Sequence, residues 1–582
     1  MQRGITALRG FLGQDVARDW LEPITPRHGE AAAFSLPLPV DFTGIARRLR
    51  IGFPNNFPRG PLALHVRPSP WLQWPHAMRD GVCLHGFRER PITGTPESVV
   101  VDSLQRLRQI LAFSVEGSDP TKRADEFQAE ITSYWSHQLP ASTQNLLLLN
   151  SPASAGPLFA LSDPRPMLVA RKQTLWLSND MDVLRKHHRR VVDLDRVVRA
   201  PATPGFYVKL LSYPPIEVPQ AEALFEWLTP HLADDDVRVL VDWLDVSDAL
   251  PARWVVVELP GTPAGPLYCF HLRSKALQPH HGQRFGLRAA RRDSVHAPSL
   301  MPPVLQAATL DLLERSAVHS RDLSGTAASL ESRKVVLVGV GSLGSPVAVQ
   351  LARAGVGHLT LIDPDTLVSE NLGRHVLGMD ELGKYKSTAL RTRLLRELPG
   401  VQIEAYRSHA EAVLAGKPDV FDHADLVIVT TADWGSEAAL WRAKAEGADW
   451  PLLQAWSEPN AVVGHALMAT QPKADARGLF DERGEFRRPY TQWPNGGVVP
   501  LPACGESFVP GGALGMANVV GMVVQAAQRV LRGQAPATAW LTSISAPDEV
   551  SRLGGHYSGP ELQDGYLQAV LERSWPVVGT DA

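Results

Sequence analysis

The chain has 582 residues, 44% hydrophobic and 20% charged, an ordinary balance for a globular protein. At about 100–200 residues per domain this length suggests roughly three to five domains. Lys and Arg number 58 against 61 Asp and Glu, a net charge of −3, which excludes a general basic field for nucleic acid and an acidic tail. With three cysteines only, Cys83, Cys269 and Cys504, a disulfide scaffold and a cysteine-rich zinc site are excluded.

At the N-terminus, Leu8, Phe11, Leu12, Val16 and Trp20 recur at helical spacing, which predicts an amphipathic helix. Charges run through this stretch and no apolar signal-type core interrupts them. Together with the sparse cysteines, this places the expected compartment in the cytoplasm. Short strand-like runs follow at Leu49–Phe53 and Leu62–Val66, with proline punctuation from Pro54 to Pro75. Helical patterns then cover Ser98–Phe113 and Ala124–Gln138. This order predicts a small α+β domain over residues 1–144.

Residues 145–315 predict a mixed middle domain of unknown role. Strand-like runs such as Trp176–Leu177 and Trp254–Glu258 alternate with proline and glycine breaks. Arg288, Arg291 and Arg292, beside Asp293, read as a solvated face. Cys269 alternates within an apolar strand and reads as a buried structural cysteine.

From residue 316 to 582 strands and helices alternate regularly. Strands are predicted at Val335–Val338, Leu359–Ile362, Val401–Tyr406, Leu426–Val429, Leu452–Trp456 and Val462–Met468, with a helix at Ser342–Arg353. This is the rhythm of a Rossmann-like, doubly wound parallel sheet. The whole chain is therefore expected to be multidomain α/β. The uncharged run Ser507–Gln528 contains Pro510 and several glycines, which argues against a membrane span.

Gly339, Gly341 and Gly344 follow the first of these strands and open a helix, a turn that lets backbone approach phosphate at a helix N-terminus. Asp363 ends the next strand, where a carboxylate reaches a ribose hydroxyl. In isolation this pattern fits a nicotinamide or flavin enzyme as well as any other, or a glycine turn without a ligand. The residues that follow favour cleavage of a triphosphate: Asp363-x-Asp365, Asn371-x-x-Arg374 and Lys386. Arg374 and Lys386 can neutralise phosphate charge as it shifts, although either one alone fits a surface salt bridge equally well. Asn371 can orient phosphates or a metal. Asp433 lies just beyond the strand Leu426–Val429, at the edge where ligands bind, and can hold Mg²⁺.

These motifs, in this order, resemble the adenylation domain of the ubiquitin-activating superfamily. Its bacterial members include the ThiF/MoeB-like adenylyltransferases of thiamine and molybdopterin biosynthesis. The resemblance covers about residues 320–535 and implies that the C-terminal carboxylate of a ubiquitin-like protein attacks ATP, giving an acyl-adenylate and pyrophosphate. It further implies that Asp363 binds ribose, that Arg374 and Lys386 bind phosphates, and that Asp433 binds Mg²⁺. An arginine ahead of the first strand, for which Arg321 is the candidate, and a homodimer are also implied.

A thiol near an adenylate can accept the acyl group as a thioester. Cys504 lies in a glycine- and proline-rich stretch before the helix Ala513–Leu531, where this superfamily tends to place a crossover loop and its catalytic cysteine. Around Cys83, the segment Trp74-Pro75-His76 through Gly81-Val82-Cys83-Leu84 resembles the ubiquitin-conjugating enzymes. His76 stands near that family's asparagine, one residue out of step, as a group for an oxyanion or for lysine attack. His85 is a second candidate. Both resemblances together match fused activating and conjugating enzymes of bacterial antiviral operons, CBASS-type or related. They imply a relay from ATP to Cys504, to Cys83 and to an acceptor lysine on a target. The carboxylate donor is either a ubiquitin-like protein or the tail of an operon partner, with no membrane or direct nucleic-acid partner. A sulfur-carrier adenylyltransferase and a nicotinamide-dependent oxidoreductase remain the alternatives.

Overall fold

The computed structural model describes residues 1–79, 81–84, 94–163, 173–191, 203–247, 252–261, 264–273, 303–398, 400–500 and 507–575. The chain divides into two compact units: Met1–Leu147 with Pro152–Met181 and Arg199–Asp311, and Leu148–Ser151 with Asp182–Val198 and Leu312–Ala582. The arginines at 288, 291 and 292 lie outside the described residues, as do His85 and Cys504.

In the first unit, the amphipathic stretch expected as one helix is two, Gln2–Leu12 and Gln14–Asp19. Gly13 breaks it at φ +85°, a left-handed backbone that glycine adopts without a Cβ clash. Of this stripe Leu8 is fully enclosed, whereas Phe11 near the end of the first helix, Val16 in the second and Trp20 just beyond it are exposed. Strands Glu22–Ile24, Glu30–Pro37, Arg48–Pro54 and Ala63–Arg67 form an antiparallel meander. Along it Phe34, Leu36, Leu49, Ile51, Phe53, Leu64 and Val66 pack with Leu8 and with Val99, Leu104 and Leu107 of helix Pro96–Ala112. Alternation at period two gives this sheet one apolar face, which the helices cover. A buried Arg47–Asp41 ion pair (2.6 Å) takes a further hydrogen bond from Trp74 Nε1 (3.0 Å) and pins the proline-rich segment to the sheet.

The pattern Ala124–Gln138 is likewise two helices, Pro120–Ala129 and Ile131–Gln138, with Glu130 outside helical geometry between them. Trp135 of the second helix enters the core of the middle region. That region is a closed seven-stranded barrel, in the order Thr203–Lys209, Ala252–Glu258, Leu267–Arg273, Val304–Leu312, Ala141–Leu148, Gln173–Ser178 and Gly156–Ser162. Thr203–Lys209 and Ala252–Glu258 pair in parallel. The connection between them is long enough for this because it carries helix Asp234–Ser247. Cys269 is fully buried in strand Leu267–Arg273, and burial pushes its thiol pKa upward.

The second unit holds an eight-stranded sheet in the order Gln402–Tyr406, His358–Ile362, Lys334–Val338, Leu426–Val429, Leu452–Ser457, Val463–Ala469, Thr538–Ser545 and Gln568–Arg573. The first five strands run parallel; the inner strands Lys334–Val338 and Leu426–Val429 are buried on both faces and read as apolar runs, whereas the edge strand Gln402–Tyr406 exposes Gln402 and Glu404. The remaining three are antiparallel, so the doubly wound parallel pattern stops at Leu452–Ser457. The link from Ser457 to Val463 holds only a one-turn helix, Pro459–Ala461, too short for a crossover. Helix Ala513–Leu531 has the length and apolarity to cross a membrane. Its Met516, Val519, Met522, Val523, Ala526 and Leu531 are buried in the core of this unit, which accounts for that composition.

Candidate functional site

The chain enters the sheet at Lys334–Val338, moves outward to Gln402–Tyr406, then returns to Leu426–Val429 on the other side of its starting strand. Strand order therefore reverses between Val338 and Val429, and the loops beyond those carboxyl ends part to leave a crevice. A cavity of about 260 Å³ lies there, lined by Gly339, Asp363, Asp365, His409, Thr431 and Asp433 among others. Gly339 sits at φ +84°, and a Cβ on it would stand 2.7 Å from the Thr431 amide nitrogen. A Cβ on Gly344 would collide with the Gly339 carbonyl. At Gly341, by contrast, a Cβ would meet nothing within 4 Å. Two of the three glycines thus close the turn on itself, and the middle one faces open space.

Asp363 is 5% exposed and ties down the turn. Its Oδ2 accepts the Val340 N–H (2.8 Å) and its Oδ1 the Asp365 N–H (2.8 Å). Burial raises its pKa against these stabilising bonds. Each oxygen keeps a second lone pair for a hydroxyl of a ligand. Lys386 begins helix Lys386–Glu397 and is 8% exposed; its Nζ pairs with Asp365 Oδ2 at 2.9 Å. A nearly buried ammonium beside the cavity is a fixed positive charge in a low-dielectric setting. Asn371 Oδ1 accepts the Val368 N–H (3.2 Å), and Arg374 Nη1 reaches the Val509 carbonyl (3.4 Å). Neither Asn371 nor Arg374 lines the cavity. Arg321 is exposed in the turn between the short helices Arg315–Val318 and Thr326–Ser329, also outside the lining.

Asp433 caps helix Trp434–Glu446, accepting N–H bonds from Gly435 and Ser436 (both 3.3 Å) and the Ser436 hydroxyl (2.6 Å). Burial opposes its ionisation, but the bonds from Ser436, His409 and Gly435 together outweigh it and hold the carboxyl below its ordinary range. His409 Nδ1 lies 3.4 Å from Asp433 Oδ2, and Glu411 completes a set of three ligand-type side chains within 4.8 Å of one another. An ionised, part-exposed carboxylate beside a second carboxylate fits a hard cation with oxygen ligands.

In the first unit, Cys83 is half-buried at the end of the small hairpin Ala77–Met78 and Gly81–Val82. Its N–H donates to the His76 carbonyl (2.7 Å). His76 is held at φ +60°, and its N–H donates to the Tyr134 hydroxyl (2.6 Å). Its ring nitrogens face two carboxylates, Nε2 at 3.1 Å from Glu126 and Nδ1 at 3.1 Å from Glu130. Glu130 foremost, and then Glu126, raise its pKa against the opposing effect of burial. The ring is thereby biased toward imidazolium, which suits it to stabilise negative charge and not to take a proton.

The C-terminal site matches a known family. The ThiF family model matches residues 318–536. Residues 318–536 are a ThiF family domain. The chain is 30% identical over 229 residues to the Pseudomonas aeruginosa "ATP-dependent ubiquitin transferase-like protein Cap2", covering 37% of this chain and 39% of that one. It is 26% identical to the Mycobacterium tuberculosis "Probable adenylyltransferase/sulfurtransferase MoeZ", over 40% of this chain and 58% of the relative. Among solved structures, E. coli MccB with ATP is 17% identical at a TM-score of 0.30, covering 44% and 68% of the two chains. The match to Cap2 spans about two fifths of that relative's length.

Within the ThiF domain, sequence reading brings Gly339, Asp363, Asp365 and Asp433 to one cavity, with Lys386 bonded to its wall. It misses His409 and Glu411, although His409 follows the strand Gln402–Tyr406 at the same carboxyl edge. It also misses His375, one residue past Arg374, which is 8% exposed and hydrogen-bonded to the glycine turn. In the first unit, Glu126 and Glu130 escape notice because they read as solvated helix positions. Only their spacing of four on a helical pattern hints at a shared face.

Proposed function

We propose that the chain uses ATP to activate the C-terminal carboxylate of a ubiquitin-like protein, or of an operon partner's tail, and passes the acyl group on as a thioester. The observation that carries this reading is the meeting of a glycine-turn cavity, the Lys386–Asp365 pair and the Asp433 carboxylate at the carboxyl ends of one parallel sheet. A carboxylate oxygen attacks the α-phosphorus, forming the acyl-adenylate as the bond to pyrophosphate breaks. Lys386 and Arg374 neutralise the departing phosphates, and Asn371 orients them. Asp433, with Glu411 beside it, would hold Mg²⁺, which supplies charge neutralisation at the phosphate oxygens. Asp363 offers its remaining lone pairs to the ribose. Arg321 is the proposed arginine ahead of the first strand.

The Cys504 thiolate then attacks the acyl carbon and AMP leaves. The Cys83 thiolate takes the acyl group by exchange and Cys504 is released. An acceptor amine on a target attacks the second thioester, forming an amide and freeing Cys83. The doubly paired His76 supports an electrostatic role at that last step, because a cationic ring stabilises the oxyanion of the tetrahedral intermediate. The helix, antiparallel meander, cysteine hairpin and following helices support a conjugating-like domain over about residues 1–140, followed by the barrel, whose strands run from Ala141 to Leu312. A homodimer acting in the cytoplasm in antiviral defence completes the proposal.

Exchange of labelled pyrophosphate into ATP, dependent on a co-expressed operon neighbour with a free C-terminus, tests the reading. Binding of NAD(H) without any exchange would overturn it. The sulfurtransferase part of the MoeZ name favours one second reading, a sulfur-carrier adenylyltransferase. That reading predicts exchange without any acyl adduct on Cys83.

A further inference from the structure

We infer that His375 is a positioning residue for the phosphate-facing turn: its ring fixes the peptide between Val340 and Gly341 so that the Gly341 N–H is presented to the nucleotide. The inference rests on the adenylation reading above and assigns a task within that site. His375 Nε2 lies 2.7 Å from the Val340 carbonyl oxygen, and His375 Nδ1 lies 3.0 Å from the Leu377 amide nitrogen. A carbonyl only accepts and an amide N–H only donates, so the two neighbours select one tautomer, neutral with the proton on Nε2. The ring is 8% exposed, and its burial acts in the same direction by disfavouring the charged form.

The carbonyl of Val340 and the N–H of Gly341 belong to one planar trans peptide, so they point in opposite directions. Anchoring the carbonyl inward on His375 turns the Gly341 N–H outward. The other polar groups of the turn are already engaged. Gly339 N–H donates to the Ile362 carbonyl (2.8 Å), and the Gly339 carbonyl accepts from Thr430 Oγ1 (2.8 Å). Val340 N–H donates to Asp363 (2.8 Å), and the Gly341 carbonyl accepts the Ser345 N–H (3.0 Å). Among the described residues the Gly341 N–H has no hydrogen-bond acceptor, and it stands where a Cβ would meet open space. Glycine at 341 leaves that peptide free to rotate unless its carbonyl is held. His375 supplies the hold.

The test measures Mg·ATP and adenosine binding to the full chain by calorimetry, in wild type, His375→Gln and His375→Asn. The glutamine amide spans the same distance, donating to Val340 and accepting from Leu377, whereas asparagine is too short. His375→Gln is expected to keep ATP affinity within about threefold. His375→Asn is expected to lose about tenfold or more, the equivalent of one buried hydrogen bond. Adenosine, which has no phosphate, is expected to bind all three alike. Wild-type ATP affinity in His375→Asn overturns the inference alone, and so does an equal loss of ATP and adenosine affinity in both variants. A wild-type chain that binds no ATP overturns the adenylation reading and this inference with it.

Discussion

Glu437 lies one turn beyond Asp433 on helix Trp434–Glu446 and is 8% exposed. Burial, reinforced by the negative charge of Asp433, lifts its pKa from the ordinary 4.5 to about 8. The folded chain therefore binds this proton more tightly than the unfolded chain. Below about pH 4.5 both states carry it and the residue contributes no pH dependence. Between about pH 4.5 and about pH 8 unfolding releases the proton, so stability falls as pH rises, and above that window the full penalty remains. At about 1.4 kcal/mol per unit, the whole window amounts to on the order of 5 kcal/mol, of which about 3 kcal/mol falls between pH 6 and pH 8.5. Glu437→Gln removes the titration and keeps an acceptor for the Gln454 Nε2 bond (2.7 Å). Calorimetric unfolding of both proteins at pH 6 and pH 8.5 should show the wild type losing more stability than Glu437→Gln across that interval. At roughly 2–4 °C per kcal/mol, the extra drop is on the order of 10 °C. Parallel pH slopes in the two proteins would refute the assignment of a protonated, buried carboxyl.

Lys386→Ala should lower pyrophosphate exchange about 100-fold or more, and Lys386→Arg should not restore it, because the forked guanidinium does not fit the enclosed position beside Asp365. Gly339→Ala should lose nucleotide binding and destabilise the ThiF domain, since the new Cβ meets the Thr431 amide nitrogen at 2.7 Å with φ at +84°. Gly341→Ala should unfold at the wild-type temperature and weaken ATP binding alone; equal thermal midpoints for the two alanine variants would contradict this. In the thioester relay, Cys83→Ala should leave one reducible adduct and Cys504→Ala none, read by non-reducing gels and mass spectrometry. Equal adduct in Cys504→Ala would reverse the proposed order.

Much of the ThiF domain was legible in the linear chain. Strands Lys334–Val338, His358–Ile362, Gln402–Tyr406 and Leu426–Val429 lie within a residue or so of their expected positions. Lys334–Val338 and Leu426–Val429 are inner parallel strands, buried on both faces, and local apolarity alone marks such strands, whereas the edge strand Gln402–Tyr406 alternates exposed polar with buried apolar residues. The barrel was not legible beyond isolated strand-like runs, because closing it pairs Val304–Leu312 with Ala141–Leu148, far earlier in the chain. The N-terminal helix was misread where one glycine broke a pattern that periodicity alone extends.

By itself, the order of residues determined where the glycine turn, the acid ending the next strand and the lysine opening a helix stand in the chain, because these are short-range features. The tertiary structure decided which side chains complete each site. His76 finds Glu126 50 residues away, and His375 finds Val340 35 residues away. It also decided that the sheet turns antiparallel after Ser457. Hydrogen bonds and ion pairs act over a few ångströms, so partners distant in sequence are chosen only when packing brings their elements together.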